Sequence, residues 1–189
     1  MRVDNPIFTP GGLNAIISSS VAGRVFEGPL NITTQNNAPP TKGTTTVDKM
    51  IVTDLGNGFC LVTMNYFQST AGTSGNGEYQ FILPSAADPN PAVFDLTYHS
   101  AYTTPGNPGM NGTEAWIPGS SGILTFTGGI GLKTSAYAMV YSPSAFRILM
   151  GAEMLFDNNT SIRNPVGSTF FSMGTAGIGF QMSFIFKKA

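Results

Sequence analysis

The sequence predicts an all-β fold built from short antiparallel strands, and three observations support this prediction. Apolar and polar residues alternate along many segments of the 189-residue chain, as expected for strands with one buried face. Glycine occurs 23 times and proline 13 times, so turn residues are frequent enough to separate many strands. We find no long stretch with a helical period, which argues against parallel βαβ units. Many short antiparallel strands favour a two-sheet sandwich, and in particular a single jelly roll of about eight strands.

The first 46 residues differ from the rest and are predicted to form an N-terminal arm. Residues 31–46 (NITTQNNAPPTKGTTT) are polar, contain proline and carry almost no charge, which is typical of an extended linker. Two interpretations of the segment stay open, a surface loop or mobile terminus and an arm that orders on a neighbouring subunit. Residues 47–189 are predicted to be the β-sandwich domain.

The predicted strands of this domain begin after the arm, where the hydrophobic period becomes two. Residues 58–67 place Cys60, Val62, Met64 and Tyr66 on one face, and apolar residues also occur on the other face. This pattern is expected where one face lines a core and the other contacts a neighbour. The later predicted strands are 78–83, 92–99, 122–128, 135–142, 145–155, 168–173 and 180–188.

Two of these predicted strands carry a further signal, one at its C-terminal end and one on its buried face. Residues 78–83 stop at Pro84, which has no backbone N–H and therefore ends the ladder or lies at its edge. The strand 180–188 alternates aromatic and polar residues. Its predicted inward side chains are Phe180, Met182, Phe184 and Phe186.

Charged residues are scarce in this sequence, and their scarcity excludes several classes of function. Charged residues make up 10% of the chain, compared with about 25% in typical soluble domains, and the net charge is −1. Such a chain has no basic footprint for nucleic acid. A run of about 18 apolar residues is missing, so we expect no membrane span. The N-terminus lacks a signal-peptide pattern, so synthesis in a cytosol is expected.

The residues that carry most enzyme chemistry are rare. The chain has one histidine, His99, and one cysteine, Cys60, so a disulfide framework, a cysteine-rich metal site or a catalytic triad is not expected. Cys60 lies within an apolar strand and is predicted to be a buried small hydrophobe. His99 is predicted to have a structural role. The sequence therefore predicts a protein that is not an enzyme and that has no cofactor and no catalytic or metal site.

Four loop residues are candidates for contacts with a glycan or with a neighbouring subunit: Tyr102, Trp116, Asn158 and Asn159. The two aromatic rings would stack on a sugar, although large aromatic side chains more often pack in a core or interface. A calcium site in residues 157–164 lacks the expected alternation of acidic residues.

Two segments resemble parts of known virion proteins. The glycine-rich turn and aromatic strand that end in Leu-Pro (75–84), and the closing aromatic strand 180–186, are similar to virion surface and fibre-tip domains with a tumour-necrosis-factor/C1q-like jelly roll. The single jelly rolls of capsid shells and pentons look similar. The resemblance covers roughly residues 48–189. It implies a homotrimer or homopentamer, assembled in the host cytoplasm and located in the virion, which contacts other capsid proteins through residues 1–46.

Two hypotheses for function follow. The first is a viral capsid or virion structural protein that self-assembles into a symmetric homo-oligomer, as a capsid vertex or as the surface knob of a fibre or decoration protein. The alternative is a lectin-like β-sandwich module that binds a cell-surface glycan through loops 100–118 and 157–165 for host attachment. The oligomeric state of the purified protein would separate them.

Overall fold

The computed structural model describes residues 23–35, 38–100, 115–117, 119–127, 132–150, 164–168 and 171–189. Within these residues the chain is all-β and antiparallel, as predicted, apart from the 3₁₀ turn Pro84–Ala87 and the short α-helix Leu96–Ser100. The described strands are β1 (Val25–Gly28), β2 (Asn31–Thr34), β3 (Thr45–Gly56), β4 (Phe59–Gln68), β5 (Tyr79–Ile82), β6 (Ala115–Trp116), β7 (Ser121–Phe126), β8 (Leu132–Ser142), β9 (Ala145–Met150), β10 (Asn164–Pro165) and β11 (Ile178–Lys187).

The strands follow one hydrogen-bonded path that curls into a half-barrel. Its order is β1-β3-β4-β11-β7-β8-β9-β5-β2, while β6 pairs with β8 and β10 pairs with β9. The longest ladders join β4 to β3 and to β11, and the ten-residue strands β4 and β11 pair along their whole length. Strand β11 therefore lies inside the sheet, with β4 on one side and β7 on the other.

The two edges of this sheet are joined by a kink in the chain. Strands β1 and β2 lie at opposite ends of the path, yet only Pro29 and Leu30 separate them. The buried Leu30 donates its N–H to Asp48 Oδ1 at 2.8 Å. The ammonium of Lys42 contacts the Leu30 carbonyl and lies 2.6 Å from Asp48 Oδ2. The kink is thus fixed to β3, which brings the two edges together and requires the sheet to curl.

Part of the segment predicted as an arm contributes to this sheet. Residues 25–34 form β1 and β2, which pair with β3 and β5. Residues 1–22 lie outside the described residues. The division of the chain at residue 46 stays a prediction.

The core fills the concave side of the curl. The predicted inward faces of β4 and β11 are both buried, which confirms the alternation in residues 58–67 and 180–188. Phe180 stacks on Tyr66 with ring centroids 5.5 Å apart and meets the edge of Phe81, on β5, at 5.8 Å. Phe184 meets Phe146, on β9, at 5.0 Å. These contacts show that β5 and β9 face β11 across a single aromatic core.

Two predicted strands are wrong, and each has a local cause. In residues 92–99 the chain makes an isolated bridge at Phe94 and then turns into the helix Leu96–Ser100. Asp95 Oδ1 accepts the N–H of Tyr98 at 3.0 Å, a side-chain cap that favours a helical turn over a strand. In residues 168–173 the described part is turn and bend, because Phe171 has a φ of 51°, which no strand allows.

Two other details refine the predicted elements. Strand β5 ends at Ile82 and Pro84 opens a 3₁₀ turn, so the predicted stop at this proline is confirmed. Strand β9 ends at Met150, and residues 151–155 of the predicted strand lie outside the described residues.

Candidate functional site

Most of the sequence-predicted contact residues fall outside the part of the chain that the structure describes. Tyr102, Asn158 and Asn159 are not among the described residues. Trp116 lies in β6, where its backbone is opposite Met139 of β8. The glycan and interface contacts assigned to these four residues therefore stay a prediction.

Cys60 and the acidic residues do not form a reactive site in the described segments. No cluster of three or more His, Cys, Asp or Glu side chains suited to a metal ion occurs there. Cys60 is buried in β4, and burial, with a smaller effect from Asp54, raises the pKa of its thiol to about 11. The thiol is therefore protonated at neutral pH and is a poor nucleophile.

The convex side of the sheet carries several of the exposed large apolar side chains of the described residues. We call the solvent-facing side of β1, β3, β4, β11, β7 and β8 the outer face. Val25, on the edge strand β1, is 56% exposed, and Ile185 (51%), Ile123 (47%) and Tyr137 (43%) are exposed on strands that are paired on both sides. Exposure of this size leaves apolar surface available for burial against another molecule. Polar residues of the outer face include Thr63, Asn65, Ser121, Ser135, Gln181 and Ser183.

The sheet register arranges part of this surface into one row. Ile185 is opposite Leu61, Leu61 is opposite Thr53, and Thr53 is opposite Val25. Paired residues on neighbouring strands lie about 5 Å apart, so these four side chains form one row across β1, β3, β4 and β11, in which the methyl group of Thr53 lies between the aliphatic Val25 and Leu61. We call these four residues the apolar stripe.

An exposed aromatic pair lies on the same side, at the turn between β3 and β4. The ring of Phe59 is 6.4 Å from Tyr98 in an edge-to-face arrangement, and Lys187 Nζ lies 5.3 Å from the Phe59 centroid. Leu55 is also exposed near this turn. Phe59 shares a strand face with Leu61, so the apolar surface continues from the apolar stripe to the end of the hairpin.

The charge on the outer face is low. Glu27 and Lys49 face each other across the β1–β3 edge as an ion pair with an N–O distance of 2.8 Å. Lys133 is exposed on β8, and Lys187 lies on the outer side of β11, so the face carries two further positive charges. A surface of this kind has no strong field of either sign and thus does not favour a highly charged partner.

The sequence anticipated this surface in part. Residues 58–67 carry apolar groups on both faces, which predicted a contact surface on the side of β4 that faces away from the core. The contribution of Val25, Ile123 and Ile185 depends on strand register, and no local pattern in the sequence reports that register.

No helix in the described part of the chain has the length and apolar character needed to cross a bilayer. The sequence matches no protein-family model and no curated protein, and the structure matches no solved structure. The outer face is therefore the feature from which a function is inferred.

Proposed function

We propose that this chain is a virion structural protein that self-associates through its outer face into a symmetric homo-oligomer. The observation that carries the proposal is the apolar stripe on a convex face with few charged side chains. An isologous or ring contact places the same surface of each copy against another copy, so a charged face would repel itself. On this face one ion pair is internally neutral, and only Lys133 and Lys187 stand outside it among many hydroxyl and amide groups, so that repulsion is small.

The energy available from the described residues is moderate. Complete burial of an aliphatic side chain contributes roughly 1.5–3 kcal/mol, so each half-exposed residue contributes about 1 kcal/mol when it becomes covered. Val25, Ile123, Ile185 and Tyr137 together give about 4 kcal/mol per copy. Association costs about 4–15 kcal/mol in lost freedom, so this surface is needed for assembly but requires further contact area. Residues 1–46, the predicted arm, are proposed to supply it by contacting neighbouring capsid proteins, although residues 25–34 of this segment already pair within the sheet of their own chain.

The proposal also includes a single jelly roll as the fold and a closed homo-oligomer as the assembly. A single jelly roll is supported by the contacts of β5 and β9 with β11 across one core. The low charge content of the chain and its alternating aromatic strands support a role in a virion, as a homotrimer or a homopentamer. Glycan binding through residues 100–118 and 157–165 is the competing hypothesis.

Sedimentation velocity and native mass spectrometry of the purified full chain test the proposal. The wild-type protein should form one closed oligomer, and Ile185→Lys should weaken its association at least about tenfold, because a charged ammonium would be buried. Ala86→Lys is the matched control, since Ala86 is exposed in the 3₁₀ turn outside the outer face. It should assemble like the wild type.

Two results would contradict self-association through the outer face. One is a wild-type protein that stays monomeric up to about 100 µM, well above the concentrations at which stable interfaces form. The other is an Ile185→Lys variant that is folded by circular dichroism and assembles normally. A monomer that binds a glycan array would favour the lectin-like alternative instead.

A further inference from the structure

The last described residues of the chain are held between two other segments. Lys188 donates its N–H to Gly58 O at 2.9 Å, and Ala189 donates to Val93 O at 2.9 Å. In the opposite direction, Asp95 donates its N–H to Lys187 O at 2.9 Å. We call this arrangement of Gly58, residues 93–95 and residues 187–189 the clamp. It fixes the end of β11 to the β3–β4 turn and to the residues that precede the short helix.

His99 reaches into the clamp from that helix. Its side chain is almost completely buried, and its Nε2 accepts the N–H of Lys187 at 3.2 Å. The ring lies edge-to-face against Phe94 and Tyr98, with centroid distances of 5.8 and 5.3 Å. A ring nitrogen that accepts a hydrogen bond carries no proton, so the imidazole is neutral and Nδ1 holds its only N–H. Nδ1 is buried and has no hydrogen-bond partner among the described atoms.

Protonation is incompatible with this geometry. A proton on Nε2 would point at the N–H of Lys187, so a hydrogen bond would be replaced by two donors facing each other. The new charge would also be buried between aromatic rings, which is costly without a full set of partners.

The ionisable groups around His99 do little to offset the cost of burying a charged imidazolium. Asp95 is the charged group of the described residues that acts on the ring, and it favours the protonated form. The Lys187 ammonium lies over the ring of Phe59. Strand β6, which packs on the helix, has no ionisable side chain, and the ionisable side chains of β8 are Lys133, Tyr137 and Tyr141. Burial dominates and lowers the pKa of His99 below its ordinary value.

We propose that His99 is an acid-sensitive latch whose protonation opens the clamp and releases residues 187–189 from the helix Leu96–Ser100. His99 is the only histidine of the chain, so no other side chain has an ordinary pKa between about 5 and 8. The neutral imidazole favours the closed clamp fully above its ordinary pKa of 6.5. That contribution falls as the pH drops below this value, because the open state binds the proton more readily.

Hydrogen exchange measured by mass spectrometry tests the latch in the full chain. After correction for the intrinsic pH dependence of exchange, the peptide that contains residues 187–189 should lose about tenfold in protection between pH 7.5 and 5, the effect of one lost net hydrogen bond. His99→Gln keeps a neutral acceptor that does not titrate, so its protection should be the same at both pH values. Asp54→Asn removes the carboxylate that contacts Lys188 and should retain the wild-type pH response.

Either of two outcomes would overturn the proposal: constant protection in the wild type, or the same acid-induced loss in His99→Gln. If the glutamine variant fails to fold, an NMR titration of the single histidine in the wild type decides the question. The latch requires that its pKa in the folded protein lies below its pKa in the urea-denatured protein. An equal or higher folded-state pKa would refute it.

Discussion

Replacement of Gln68 by leucine should destabilise the fold strongly, because this buried amide joins three segments. Gln68 is fully buried at the end of β4. Its Nε2 donates to Met173 O at 2.8 Å and to Thr175 O at 2.7 Å. Its Oε1 accepts from Tyr66 Oη at 2.6 Å and from the N–H of Gly43 at 3.2 Å. Leucine is similar in size but offers none of these four hydrogen bonds.

The magnitude follows from the groups that would be left without a partner. Met173 O also accepts the N–H of Gly72 at 2.9 Å, so it stays satisfied in the variant. The Tyr66 hydroxyl, Thr175 O and the Gly43 N–H lose a partner, and each such buried group costs about 1–3 kcal/mol. The two backbone groups are only partly buried, so water reduces their cost. Since leucine adds some apolar burial, we expect a net loss of about 3 kcal/mol in the free energy of unfolding.

Urea denaturation followed by tryptophan fluorescence and circular dichroism measures this loss, at one protein concentration for all variants. The corresponding decrease in Tm is about 6–12 °C for a chain of this size. Gln35→Leu makes the same substitution at an exposed position and should change stability by less than about 0.5 kcal/mol. A loss below about 1 kcal/mol in Gln68→Leu would refute the role of this amide as a buried junction.

Three further predictions concern the core and the loops. Phe180→Ala removes the ring that contacts Tyr66 and Phe81, and calorimetry should show a loss of about 3–5 kcal/mol. Cys60, whose thiol pKa is raised to about 11, should resist a thiol reagent at pH 8 in the folded protein and react fully in urea; rapid reaction of the folded protein would contradict its burial. Gly75→Ala should cost about 1–3 kcal/mol in urea unfolding, because φ is 62° and the new Cβ would lie 2.5 Å from Ala38 O.

The long central strands could be predicted from the sequence because each carries its own signal. Residues 58–67 and 180–188 alternate over enough positions to identify both the strand and its buried face. Burial then follows from the period alone, whatever the neighbouring strand is. The stop at Pro84 was equally local, since a missing N–H is a property of one residue.

Elements whose stability comes from distant partners could not be predicted in this way. Strands β1 and β2 have four residues each, and the sequence of β2, NITT, has one strongly apolar residue. They form because the kink at Leu30 is fixed by Asp48 and because β3 and β5 supply the hydrogen bonds. The helix Leu96–Ser100 was missed because residues 92–99 alternate like a strand, whereas the cap at Asp95 decides the local structure.

The outer face could likewise be predicted only where its signal lies within one segment of the sequence. The apolar outer side of β4 was visible in residues 58–67, so a contact surface could be predicted on one strand. The apolar stripe needs the registers of three separate strand pairs, which place Val25, Leu61 and Ile185 in one row. Register is set by the pairing of strands and not by any single segment. The arrangement of the apolar stripe could therefore be known only from the structure.

The position of β11 links the core, the outer face and the clamp. It follows all other described strands in the chain, yet it lies between β4 and β7 inside the sheet. Its inner side chains, such as Phe180, pack in the aromatic core, while Ile185 on its other side belongs to the apolar stripe. These pairings join residues far apart in sequence, such as Ile185 of β11 and Leu61 of β4. The same strand that places Phe180 in the core places Ile185 opposite Leu61, so the proposed contact surface exists only in a folded subunit.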